Sequence, residues 1–169
     1  MKCSSYFFNK EINYNILIFY IAVYFGLILN IPLWQTFYEI LSKLEMVNVW
    51  FVISLPIFLI AALNIIFQLF AWPYFGRVFF GILTFVSAIT AYASYHYGVI
   101  FDYGMIENIV ETNSGEASSY FSLSGLITIT ILGVIPCLYI ISVKVKKQSF
   151  IKNFILYKAI SIIASIIVI

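Results

Sequence analysis

Five residues in one short stretch, Glu107, Asn108, Glu111, Thr112 and Glu116, offer three carboxylates and two neutral hydrogen-bonding groups. If the stretch is helical, Met105, Ile106, Ile109 and Val110 fall on one arc and Glu107 and Glu111 on the opposite one. Asn108 and Thr112 then stand at i, i+4 on the border between the two faces. At a membrane surface such a group could hold a cationic headgroup through charge-assisted hydrogen bonds. The same pattern is also that of a solvated helix face, and the residues alone leave both readings open.

Two further sets carry polar chemistry inside apolar surroundings. Asn64 and Gln68 lie at i, i+4 within a long apolar run, where they could bind a polar substrate group or hydrogen-bond neighbouring helices. His96 sits between Tyr95 and Tyr97 at the end of another run, as a proton relay or as a member of an interfacial aromatic belt. Cys3 and Cys137 are far apart and make no disulfide framework, and no Cys/His cluster of zinc-binding spacing exists. No P-loop, GxSxG, HExxH or EF-hand pattern is present, so a catalytic centre would have to come from scattered polar residues.

What must position these residues is set by composition. Of 169 residues, 63% are apolar and only 9% charged, against roughly 25% charged in a soluble domain. So little charge cannot cover a water-facing surface, which argues against a soluble enzyme, a disordered tail or a nucleic-acid-binding module; the bilayer is the matching solvent. Five apolar runs predict five transmembrane helices, at about 14–34, 47–71, 78–101, 121–143 and 154–169. The first reaches spanning length only with Ile31 to Trp34 included, and the fifth is expected to be truncated, at roughly 24 Å for its length. No small-x-small cleavage site follows the first run, which therefore reads as a retained helix rather than a signal peptide.

The charges orient the bundle. With a cytoplasmic N-terminus, Lys2, Lys10, Arg77, Lys144, Lys146, Lys147, Lys152 and Lys158 fall inside and only Lys43 outside. Glu39, Glu45, Asp102, Glu107, Glu111 and Glu116 fall outside, and only Glu11 inside. Two outer segments read as interfacial helices, about 32–45 and 102–113, the first with Leu33, Phe37, Ile40, Leu41 and Leu44 on one face and Gln35, Glu39, Ser42 and Lys43 on the other. Asn113, Ser114 and Gly115 end the second. The third run carries Gly81, Thr84, Ser87, Ala88, Ala91 and Ser94 at three- and four-residue spacing, a stripe for close helix packing. The whole chain reads as one all-α polytopic membrane domain.

The stretch Phe101-Asp-Tyr-Gly-Met-Ile-Glu-Asn-Ile-Val-Glu-Thr-Asn-Ser-Gly-Glu-Ala-Ser-Ser-Tyr120 resembles one family, and so does Tyr24-Phe-Gly-Leu-Ile-Leu-Asn-Ile-Pro-Leu-Trp34. Both are similar to the N-terminal membrane domain of the lipid A phosphoethanolamine transferases, which include the mobile colistin-resistance enzymes. The resemblance is specific in the Asn-x-x-x-Thr-x-x-x-Glu pattern of Asn108, Thr112 and Glu116, and generic in the apolar runs. It implies a multi-pass protein of the Gram-negative inner membrane, acting in transfer of phosphoethanolamine from phosphatidylethanolamine to lipid A and so in polymyxin resistance. It implies that Asn108, Thr112 and Glu116 contribute to the lipid-substrate pocket. It also implies that the zinc cofactor and the threonine nucleophile belong to a periplasmic domain that this sequence lacks, so that the chain alone holds no metal or catalytic residue and is expected to be inactive. Two other functions stay open: a small non-enzymatic lipid-binding or regulatory membrane protein, and a small transporter using Asn64, Gln68 and His96. Loop clustering of the charges speaks against the transporter.

Overall fold

The computed structural model describes residues 11–72, 75–98, 122–146 and 155–169. The expected second interfacial helix at about 102–113 lies outside them. Among the described residues six helical elements follow one another: α1 (Tyr14–Leu29), α2 (Ile31–Leu41), α3 (Val49–Phe70), α4 (Gly76–Tyr97), α5 (Leu123–Ser142) and α6 (Leu156–Val168). Three of them, α3, α4 and α5, are long and apolar enough to cross a membrane; α1 and α2 make a fourth candidate if the bent pair is one span. α6 has 13 residues, shorter than a full crossing.

Local chemistry sets the helix ends. Asn13, Asn48 and Ser122 each accept a backbone N–H of the first turn, from Asn15 (3.0 Å), Trp50 (2.9 Å) and Gly125 (3.0 Å). Gly98 closes α4 in the left-handed region at φ 62°, where a side chain would be strained. α1, α3, α4, α5 and α6 run alternately up and down. At the end where α1 begins, Tyr14 Oη donates to the Trp72 carbonyl (3.0 Å), Arg77 Nη1 to the Val143 carbonyl (3.1 Å), and Ile12 pairs with Val145 as a short parallel bridge. Lys158 Nζ stands at the C-terminus of α3, 3.4 Å from the Leu69 carbonyl and 5.8 Å from the centre of the Trp72 ring. The core joins α1, α3 and α4 through Ile18 and Phe80, both fully buried, and through ring contacts of Phe67, edge-on to Phe25 (centroids 5.1 Å apart) and tilted against Phe80 (5.2 Å).

Among the described residues, two five-residue stretches depart from α geometry. Phe25–Leu29 at the end of α1 and Thr130–Val134 within α5 are π-helical. Pro136 follows the second, and without an N–H it cannot bond the carbonyl four residues back, that of Leu132. Tyr24 Oη donates to that carbonyl instead, at 2.7 Å. At the first stretch the chain bends by 52° into α2. Asn30 Nδ2 donates to the Phe25 carbonyl (2.8 Å) and Trp34 Nε1 to the Gly26 carbonyl (2.8 Å), so side chains beyond the bend take over the carbonyls that the helix releases. Ile31 to Trp34, which extend the first apolar run on paper, thus belong to α2, with Pro32 in its first turn. No residue of α2 is buried.

Trp34→Phe keeps an aromatic side chain and removes the donor. Stranding the Gly26 carbonyl should cost about 1–3 kcal/mol. We expect a lower Tm in detergent and faster tryptic cleavage at exposed Lys43 beside α2; unchanged values would show that the bend does not depend on this bond.

Candidate functional site

The bend gives α2 a polar face toward the last turns of α4. Gln35, Thr36 and Glu39 recur at three- and four-residue spacing on α2, and Thr90, Ala91, Ser94, Tyr95 and Gly98 do so on α4. Leu29, Asn30, Pro32 and Leu33 complete a cleft of about 690 Å³ between the two helices. Thr36 and Thr90 already donate within their own helices, to the Pro32 (3.1 Å) and Ser87 (3.0 Å) carbonyls, leaving their oxygens as acceptors. The described lining thus offers one carboxylate and several neutral acceptors and donors, and no Lys or Arg. This set suits an ammonium or hydroxyl group and gives a phosphate no cation to pair with.

The small-residue stripe of α4 divides between two tasks. Its inner part packs: a Cβ on Gly81 would stand 2.9 Å from the Ile141 side chain, and one on Gly133 would stand 3.0 Å from Ala88. Its outer part, Ala91 and Ser94, lines the cleft.

Asn108, Thr112 and Glu116 lie outside the described residues. The segment that carries them leaves at Gly98, which lines the cleft, and returns at Ser122, whose hydroxyl is 2.9 Å from Tyr92 Oη on α4. Asn64 and Gln68 are buried and face other helices. Asn64 Nδ2 donates to Ser165 Oγ (2.7 Å) and Ser161 Oγ (3.1 Å), and Gln68 Nε2 donates to Ser161 Oγ and to the Asn15 carbonyl (both 3.2 Å). His96 lies at the opposite end of the bundle, stacked on Tyr92 with centroids 5.2 Å apart and edge-on to Tyr97. His96 therefore does not meet the side chains of Asn64 and Gln68. No three His, Cys, Asp or Glu among the described residues could hold a metal ion together.

The sequence puts Glu39 on the polar face of an interfacial helix and Ser94 in a packing stripe, and no pattern in it joins the two. The available signal was that both polar faces lie at the same end of the bundle once α1, α3 and α4 alternate in direction.

A family model described as phosphoethanolamine transferase EptA/EptB matches residues 59–169. Phosphoethanolamine transferase EptA of Escherichia coli (strain K12) is 25% identical over 148 residues, covering 88% of this chain and 27% of that protein. Phosphatidylethanolamine transferase Mcr-1 of Escherichia coli is also 25% identical over 148 residues, covering 86% and 27%. Among solved structures, the integral membrane lipooligosaccharide phosphoethanolamine transferase A (EptA) of Neisseria meningitidis superposes with a TM-score of 0.82 at 23% identity, over 94% of this chain and 30% of that one. The chain spans just over a quarter of the length of the curated relatives that it matches.

The return at Ser122 depends on a close approach. A Cβ on Gly125 would stand 2.9 Å from the ring carbon Cζ of Tyr92. Gly125→Val should push the ring away, weaken its bond to Ser122 and cost about 1–3 kcal/mol, read as a lowered Tm, with Gly125→Ala milder.

Proposed function

The chain belongs to the EptA/EptB phosphoethanolamine transferase family, and on that premise we propose that it is the membrane part that holds the donor lipid, phosphatidylethanolamine, by its headgroup at the periplasmic face. The cleft between α2 and α4 carries this reading. Its one carboxylate and its neutral acceptors, with no Lys or Arg in the described lining, match an ammonium better than the phosphates of an acceptor such as lipid A. The segment with Asn108, Thr112 and Glu116 is attached at that end.

In this reading Glu39 and Glu116 attract the ammonium, and Asn108 and Thr112 orient the headgroup by hydrogen bonds. Fixing the lipid in this way is a proximity contribution to transfer. The donor phosphate would then be presented to zinc and a threonine nucleophile outside these 169 residues, for transfer to lipid A. The 169 residues alone would bind lipid without turnover. The reading also takes the N-terminus as cytoplasmic in the Gram-negative inner membrane, from the loop lysines, and α6 as part of a fifth crossing.

The test is lipid retention by the purified chain, read by native mass spectrometry. Phosphatidylethanolamine should be kept over phosphatidylglycerol. The double substitution of Glu39→Gln and Glu116→Gln should reduce that preference by about tenfold, the scale of one charge-assisted hydrogen bond. Equal retention of both lipids by the unaltered chain would overturn the assignment. In a version that carries the catalytic domain, Asn108→Ala or Thr112→Ala should lower lipid A modification at normal expression.

A further inference from the structure

The junction of α1, α3 and α6 holds more polar chemistry than its bonds consume. Asn15, Asn64 and Gln68 are 5%, 1% and 0% exposed. Their side chains nonetheless leave Asn15 Nδ2, Asn15 Oδ1, Asn64 Oδ1 and Gln68 Oε1 without a hydrogen-bond partner among the described residues. The amides of Asn64 and Gln68 meet at one serine, and Asn15 joins them through its backbone carbonyl. Ser161 Oγ accepts from both Asn64 Nδ2 (3.1 Å) and Gln68 Nε2 (3.2 Å), and the carbonyl of Asn15 accepts from Gln68 Nε2 (3.2 Å). With both amides donating to it, the Ser161 hydroxyl keeps its own proton to give.

Turning an amide over does not resolve this. Exchanging O for N at Asn64 or Gln68 changes which atom is stranded and leaves one stranded all the same. An unpaired polar atom is costly in hydrocarbon, so four of them on three buried side chains of adjoining helices point to a ligand. The stranded set is three carbonyl oxygens and one amide N–H₂. A bare cation would satisfy the oxygens, but it would be repelled by Asn15 Nδ2 and would have no carboxylate to balance it among these side chains. Water both donates and accepts, and buried water makes about three hydrogen bonds. We propose that the α1–α3–α6 junction is an internal water site, built by Asn15, Asn64, Gln68 and Ser161, which fixes the rotation of the short helix α6 against α3.

Hydration and dryness predict opposite signs for one substitution. Asn15→Leu removes the side chain that spans both kinds of stranded atom, while its backbone carbonyl still accepts from Gln68. If water is held there, the variant loses bridged bonds and its Tm in lipid nanodiscs falls by several degrees. A Tm that rises or does not change would overturn the site, because removing a dry, unpaired amide relieves strain. Should the variant fail to fold, hydroxyl-radical labelling in ¹⁸O water decides on the unaltered chain. We expect oxidation at buried Leu17, Ile18 or Phe67, with exposed Met46 as the positive control. Labelled Met46 with all three silent would overturn the proposal. So would a Tm of the unaltered chain that depends on sodium against choline, since that would identify a cation as the occupant.

Discussion

A carbonyl released from the helical ladder inside a bilayer has no water to turn to, and the architecture of this chain follows from where its released carbonyls go. Pro136 frees the carbonyl of Leu132, and Tyr24 from the neighbouring helix supplies the donor. At the end of α1 the carbonyls of Phe25 and Gly26 are taken by Asn30 and Trp34. The second pair fixes the 52° bend, and the bend turns Gln35, Thr36 and Glu39 toward α4. Without those two donors the chain would have to continue as a straight helix or strand its carbonyls, and the cleft would lose one wall.

The same scarcity of partners explains how the other helices hold together. Lipid is as apolar as leucine, so burial alone gives helices little reason to associate, and close packing and interhelical hydrogen bonds must do so. Here α4 and α5 approach over Gly81 and Gly133, whereas α3 and α6 are joined by amide-to-serine bonds. The two modes differ in selectivity. Small residues permit close contact at several rotations, whereas a cluster of directed amides accepts few.

Much of this was readable from residue order. Long apolar runs with charges confined to loops announce a helical membrane chain, because the bilayer permits little else. The Tyr24 to Trp34 stretch, which carried part of the family resemblance, contains three of the side chains that cap released carbonyls: Tyr24, Asn30 and Trp34. The π-helical turns themselves were not legible, since widening by one residue leaves no periodic mark. Nor was the cleft, because Glu39 and Ser94 lie on elements far apart in the chain and meet only through the bend. Asn64 and Gln68 were legible as a pair but not as to partner, which required the register of α6.

The bridge between Ile12 and Val145, with the backbone bonds Ile12 to Lys144 and Lys146 to Ile12, ties the entrance of the first helix to the exit of the fifth element. Because a ribosome delivers these two segments at very different times, the tie has a meaning for biogenesis. Until the second arrives, the base of the first helix is tied to the end of α3, by Tyr14 to the Trp72 carbonyl and by Gln68 to the Asn15 carbonyl. Only when residues 144–146 emerge can the bundle close at that end. Closure of the bridge therefore marks a late point in insertion, later than the contacts that join α1 to α3.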